Sequence, residues 1–339
     1  MTKPTDLSVQ VTGEPALIEP PQRTGRRRTV LAWTLTAPWG AWLIIRLTGA
    51  DRLSLIELPA VPLLAVTQYV AATAPIPIIC AVLLRRRRAA VAAGLVAAVL
   101  AVVVLPRAIG SGQPAAAGPE LRVLTANLFF SRVDPDHVVD LVRRNHVDVL
   151  SLQELTPDGV EALEDAGLLR DLPYKVIDPR WGAAGSGLYA RRPLRAAAPV
   201  PGAAFAMPQA RLTTPGGPLL EVSAVHPPPA TSRSNIRAWR HDLDALPAAD
   251  RQGPVRLLIG DFNATLDHAR MRAVLGRGYA DAADRVGKGL VLTWGIARFG
   301  PPLTLDHILV DERVAVRRFD VYDLPGGDHR AVFAHLRLP

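Results

Sequence analysis

The run Val255-Arg256-Leu257-Leu258-Ile259-Gly260-Asp261-Phe262-Asn263 decides how the second half of this chain is read. Its apolar part reads as a buried strand. Gly260-Asp261-Phe262-Asn263 follows at the strand end. A carboxylate and a carboxamide two residues apart there can point into one pocket, and the pairing suits phosphate chemistry. The carboxylate can hold a cation or polarise a water, and the amide can donate to a phosphate oxygen without adding negative charge. Gly, Asp and Asn are also common turn formers, so the tetrapeptide alone would equally describe an ordinary turn.

Working outward, other polar groups occupy the same kind of place. Asn127 ends Val123-Leu124-Thr125-Ala126, and Gln153-Glu154 end Val149-Leu150-Ser151-Leu152. His226 ends Val222-Ser223-Ala224-Val225. Asp306-His307 interrupt the run Leu303–Val310, and Asp328-His329 precede Ala331-Val332-Phe333. Between these points the pattern alternates. Strands are expected at Leu121–Leu128, Val147–Leu152, Gly187–Ala190, Leu219–Val225, Leu303–Val310 and Ala331–Leu336. Helices are expected at Asp136–Arg144, Pro157–Ala166, Asn235–Leu246 and Asp267–Leu275. Such a mixture, with several adjacent strand pairs, predicts an α/β domain of two sheets packed face to face with helices outside.

The first third has a different character. Three apolar stretches, Val30–Leu47, one within Leu58–Leu84, and Ala89–Leu105, are each near the roughly 20 residues that span a bilayer. Pro59, Pro62, Pro75 and Pro77 are expected to bend the second. Basic clusters at Arg23–Arg28 and Arg85–Arg88, against Arg52 alone in the loop between spans one and two, place the N-terminus and the second cluster in the cytoplasm. Three crossings then leave everything after residue 110 outside the cell. Residues 1–28 read as a disordered cytoplasmic tail, 29–109 as three transmembrane helices, and the Gly/Ala/Pro-rich 110–119 as a flexible tether. Residues 120–339 form the expected catalytic domain.

Charge separates the two parts. The formal +8 invites a nucleic-acid reading. Residues 1–110, however, hold 12 Lys and Arg against 5 Asp and Glu, whereas 111–339 hold 27 against 26. The domain is close to neutral and has no long basic stripe. The single cysteine, Cys80, lies in the apolar third, which leaves the domain no thiol nucleophile and the chain no internal disulfide.

Taken in order, Thr125-Ala126-Asn127, Leu152-Gln153-Glu154, Ser186-Gly187-Leu188-Tyr189, Ala224-Val225-His226, Gly260-Asp261-Phe262-Asn263, Leu305-Asp306-His307-Ile308-Leu309 and Gly327-Asp328-His329 resemble the endonuclease/exonuclease/phosphatase superfamily, the deoxyribonuclease I-like fold. The resemblance covers residues 119–339. It implies a four-layer α/β sandwich with its site at one rim of the paired sheets. It also implies a hydrolase that uses Mg²⁺ or Mn²⁺. By that resemblance Glu154 is the leading metal ligand, Asp328 a further one, and Asn127 helps to fix the metal or the phosphate. Asp261 orients or deprotonates the attacking water, Asn263 contacts the phosphate, and Asp306 pairs with His329. A carboxylate so placed fixes the ring tautomer and stabilises the imidazolium. His226, held before Pro227-Pro228-Pro229, is expected to donate to the phosphate or the leaving oxygen. Arg211 is either a phosphate clamp or half of a surface salt bridge. His307 should face the opposite side of its strand and be structural. His137, His146, His241 and His335 carry no signal.

The reaction implied is metal-assisted, in-line attack of water on a phosphate ester. Candidate substrates are a lipid, another small phosphodiester or monoester, or nucleic acid, the last making the chain an extracytoplasmic nuclease. A catalytically inactive binding domain is the rival of a different class, and Glu154, Asp261 and His329 speak against it. The lack of a membrane-embedded acidic pair speaks against a transporter.

Overall fold

The computed structural model describes residues 23–295 and 301–339. Helices α1 (Arg23–Thr48), α2 (Glu57–Leu64), α3 (Thr67–Thr73), α4 (Pro75–Leu83) and α5 (Arg87–Val104) come first. Two six-stranded mixed sheets follow. The first contains β1 (Glu120–Asn127), β2 (Val149–Gln153), β3 (Tyr174–Asp178) and β4 (Ser186–Ala190), completed by two strands from the end of the chain. The second contains β5 (Arg195–Ala197), β6 (Gln209–Thr213), β7 (Leu219–Val225), β8 (Val255–Asp261), β9 (Tyr279–Asp281) and β10 (Asp306–Asp311). The strands that complete the first sheet are β11 (Ala315–Asp323) and β12 (Arg330–Arg337), in the order β11-β12-β1-β2-β4-β3. The second runs β5-β6-β7-β8-β10-β9.

Strand alternation builds the layers. Leu121 and Val123 of β1, Val222 of β7, Leu257 and Ile259 of β8 and Val332 of β12 point inward and form the core between the sheets. Their neighbours Leu124, Leu150, Leu152 and Phe333 point outward under α6 (Pro135–Arg144), α7 (Pro157–Asp165) and α8 (Leu168–Asp171). Val225, Leu258 and Leu309 do the same under α9 (Arg233–Ala245) and α10 (Ala269–Leu275). The short α11 (Ala282–Arg285) follows β9. The result is the expected four-layer sandwich. Helix starts follow their caps: Asp134, Thr156 and Ser232 each accept from a first-turn backbone N–H.

In each sheet the central pair is parallel, β1 with β2 and β7 with β8. Both pairs therefore end on the same rim, Asn127 beside Gln153 and Val225 beside Gly260. Gly260 is required at that end. Its φ is +156°, and a Cβ there would lie 2.0 Å from the Val225 carbonyl oxygen.

Among the described residues two helices, Gly25–Thr48 and Arg87–Ala108, are long and apolar enough to cross a membrane, and the bent pair Glu57–Leu64 and Thr67–Leu83 makes a third if it counts as one span. The outward faces of the N-terminal helices carry Val30, Leu47, Ile79, Leu83, Leu95 and Val102, each more than half exposed. An apolar surface of that extent does not suit water.

Three boundaries differ from expectation. Residues 1–22 of the expected tail lie outside the described residues, whereas Arg23–Arg28 already belong to α1, where Arg86 donates to the Gly25 carbonyl at 2.6 Å. The second apolar stretch bends, as its prolines led one to expect, with α2 set at 67° to the following Thr67–Leu83; the difference lies in where α2 packs. Val61 of α2 packs not toward a bilayer but into the core with Trp239, Phe262 and Met271. The tether 110–119 has no regular element, yet it is strapped down. Ser111 N donates to Arg285 O, Val316 N to Gln113 Oε1 and Gly118 N to Leu338 O. Its backbone donors found partners on the domain surface, so it is not a free linker.

Candidate active site

Inward parity brings the site together. Asn127, Gln153, Asp261 and Asp306 share the alternation of the inter-sheet core, so at the rim their side chains face across the gap between sheets. Beneath them a buried polar floor replaces apolar packing. Thr125 donates to Gln153 Oε1 (3.0 Å), Gln153 Nε2 to Ser151 Oγ (2.9 Å), and Ser151 Oγ to the Ile259 carbonyl of the other sheet (3.0 Å). Sequence reading missed this floor. Its signal was the polar residues at inward positions 125, 151 and 153 of otherwise apolar strands.

Asn127 bridges the sheets. Its Nδ2 lies 3.2 Å from both Glu154 Oε1 and Asp261 Oδ2, and its Oδ1 accepts from Phe129 N at 3.0 Å. Glu154 stands just past β2 with φ +56° and accepts from Phe130 N at 2.8 Å. Asn263 is also left-handed at φ +46°, its N–H donating to Asp261 Oδ1 at 2.8 Å. Non-glycine residues in this region are uncommon and gather at functional sites. Asn263 Nδ2 spends one hydrogen on the Pro227 carbonyl (3.0 Å) and keeps a second.

Across the cleft, His329 Nδ1 bonds Asp306 Oδ2 at 2.9 Å. Its Nε2 points at Asp261 Oδ2, 3.6 Å away, and His226 Nε2 approaches the same oxygen at 3.8 Å. Asp306 lies opposite Asp261 in the β8–β10 ladder. The backbone N–H groups of Leu305 and Asp306 are held by Thr293 Oγ1.

The two histidines are driven in opposite directions. Burial opposes charge on His329, but Asp306 and Asp261 outweigh it and raise the ring to about 10. Burial, aided by His329, lowers His226 to about 3. Burial also pushes Asp261 up to about 7, against the pull of His329, and raises Glu154. The site is thus an imidazolium, a neutral imidazole, and a carboxylate poised to take a proton.

The expected residues Asn127, Glu154, His226, Asp261, Asn263, Asp306, Asp328 and His329 converge on one rim. Most of them line a cavity of about 450 Å³. Arg211 does not join them. Cross-strand from Glu221 on β6, it pairs with that carboxylate at 3.0 Å and is 55% exposed. Glu221 lies five residues before His226, roughly 16 Å along β7. Its observed contact is a surface salt bridge. His307 faces away from the cleft, as strand parity requires, with both ring nitrogens donating, to Asp281 (2.8 Å) and to the Ala264 carbonyl (2.9 Å).

A divalent cation fits the donor set on the Glu154 side. The groups are hard oxygens with no thiolate, as Mg²⁺ or Mn²⁺ requires. Among the described residues Asp328 Oδ1 is buried without a hydrogen-bond partner, and Trp294 Nε1 holds its other oxygen at 3.2 Å. Ligand atoms of Asp261, Asp306 and His329 also lie within 4.8 Å of one another. There the Asp306–His329 bond engages Nδ1, and the free face of the trio is His329 Nε2 with Asp261 Oδ2.

Solved structures share this architecture. An endonuclease/exonuclease/phosphatase from Beutenbergia cavernae is 18% identical over 65% of this chain and 72% of its own, with a TM-score of 0.51. An AP endonuclease from Archaeoglobus fulgidus is 14% identical over 63% of this chain and 98% of its own, with a TM-score of 0.52. At these identities the likeness is one of fold. No curated protein matches the sequence significantly. Residues 124–329, more than half of the chain, match the family model described as "Endonuclease/Exonuclease/phosphatase family". The chain therefore belongs to the endonuclease/exonuclease/phosphatase family.

Proposed function

We propose that this chain is a membrane-anchored, divalent-cation-dependent phosphoester hydrolase, cleaving a phosphodiester or phosphomonoester by in-line attack of water. The carrying observation is the contact chain Glu154–Asn127–Asp261, with Asp306–His329 beside it, drawn from both sheets into one cavity. Asp261 accepts the proton of the attacking water. The water oxygen bonds to phosphorus, the ester P–O bond breaks, and the proton ends on the leaving oxygen. His329, held as imidazolium by Asp306, offsets charge on the phosphoryl oxygens. His226 stays neutral and donates one N–H, and Asn263 supplies its spare amide hydrogen. When bound at Glu154 and Asp328, Mg²⁺ or Mn²⁺ would act as a Lewis acid on the phosphoryl oxygen.

Membrane anchoring is supported by the two long apolar helices and by the exposed apolar faces of the N-terminal region. With the bent stretch that ends in Thr67–Leu83 counted as a third crossing, the basic clusters favour a catalytic domain outside the cell. Protease added to intact cells should then remove the domain; complete protection would reverse the orientation.

The activity is tested with the purified full chain in detergent on bis(p-nitrophenyl) phosphate and p-nitrophenyl phosphate. Turnover should require added Mg²⁺ or Mn²⁺ and stop with chelator. Absence of turnover with either cation on both esters argues against the assignment.

A further inference from the structure

The cavity over the catalytic residues has a second wall, and that wall comes from outside the family match. Val61 and Pro62 of α2, with Ala65 just after it, line the same space as Glu154, Asp261 and His329. The placement is built, not incidental. His268 accepts from Thr265 N through Nδ1, which puts its proton on Nε2 to donate to the Val61 carbonyl at 2.8 Å. Asp51 Oδ2 caps α10 by accepting from Ala269 N at 2.9 Å. The remaining lining is largely apolar, with Phe129, Phe130, Trp294, Leu303 and Leu305.

Two features identify the occupant. Among the described residues no Lys or Arg lines the cavity. A nucleic acid brings several phosphates beside the scissile one and needs cationic side chains to meet them. In addition, the apolar wall on α2 contacts α1, one of the membrane-length helices, so the anchoring proposed above would set the cavity close to a bilayer.

Building on the phosphoesterase reading, we propose that the substrate is a membrane lipid phosphoester. Its phosphate sits among His226, Asp261 and His329. The start of its hydrocarbon chain lies against Pro62, Ala65 and Phe130. Hydrolysis places the water oxygen on phosphorus and returns the proton to the lipid alcohol or to the head-group alcohol that leaves.

The test uses the full chain in mixed micelles with Mg²⁺. Matched long-chain, short-chain and deacylated forms of phosphatidic acid and phosphatidylglycerol are compared with plasmid DNA and bis(p-nitrophenyl) phosphate. From deacylated to long-chain ester kcat/KM should rise by about tenfold or more, the effect of about two buried methylenes. Pro62→Asp, at an exposed position on the cavity wall, should shrink that ratio. Equal rates on deacylated and long-chain esters, preferred cleavage of DNA, or a Pro62→Asp ratio equal to wild type would each overturn the lipid assignment while leaving the phosphoesterase reading intact. Failure on every ester, the chromogenic one included, would remove both.

Discussion

Arg46 Nε, near the end of the first apolar helix, lies 2.7 Å from Asp267 Oδ1, four residues beyond Asn263 at the catalytic rim. Arg107, just after α5, grips the same carboxylate in bidentate fashion at 2.7 and 2.8 Å. One buried aspartate therefore ties both membrane-length helices to the loop that follows the site. Removing one partner of such a pair leaves uncompensated buried charge. Asp267→Asn should destabilise the full chain by about 3–5 kcal/mol, read as a lower unfolding midpoint in detergent. An unchanged midpoint would show that the two parts are not coupled there.

The same contact sets an acid limit. Burial would raise the Asp267 carboxyl, but the hydrogen bonds and charge of Arg107, then Arg46, hold it below its ordinary value. Its folded pKa is depressed, so its stabilisation is complete above the ordinary carboxylate pKa of about 3.9. It is lost as pH falls through the lowered folded value. Stability should fall in that acid window for wild type and fall less steeply for Asp267→Asn.

His329 and His226, both beside Asp261, should titrate far apart. In chelator-treated protein with labelled histidines, the His329 ring should remain protonated at neutral pH and deprotonate only near 10. The His226 ring should stay neutral until pH falls near 3. Two rings titrating together near 6.5 would dissolve the division of labour assigned to them.

Gly260 lets the end of β8, which carries Asp261, pass close to β7. Gly260→Ala would press a Cβ to 2.0 Å from the Val225 carbonyl oxygen and 3.0 Å from Gln153 Nε2. Strand β8 must then shift against β7. Activity should drop together with the thermal midpoint, since the same movement displaces Asp261 and strains the ladder.

Glu154→Gln keeps the size of the side chain but removes its charge and one of the two acceptors that meet Asn127 Nδ2 and Phe130 N. Affinity for Mn²⁺, followed by paramagnetic resonance or calorimetry, should fall by tenfold or more, about 1.4 kcal/mol, with the fold retained. Unaltered affinity would move the cation away from Glu154.

The sequence made the site legible because its polar residues interrupt buried strands. At Asn127, Glu154, His226 and Asp261 an apolar run stops at a group that needs a partner. Elements with apolar interiors, β1, β2, β7 and β8, were readable for the same reason. The strands β3, β5, β6, β9 and β11 were not, and all of these but β6 are sheet edges. Edge strands pair on one side only and tolerate exposed charge, as in Arg317-Arg318 of β11. Arg211 misled because an arginine on a strand offers a phosphate clamp and a cross-strand ion pair alike. Only register, which sets it opposite Glu221, separates them. The docking of α2 was hidden because Val61 is apolar whether it meets lipid or Trp239. Hydropathy records only that the residue leaves water.

The most direct measurement is metal-supported hydrolysis of bis(p-nitrophenyl) phosphate by the full chain, compared with Asp261→Asn and His329→Ala at matched folding. The site geometry predicts that each substitution lowers kcat by roughly 10²–10⁴-fold, the range of positioned acid–base groups. Wild-type turnover in both would contradict it.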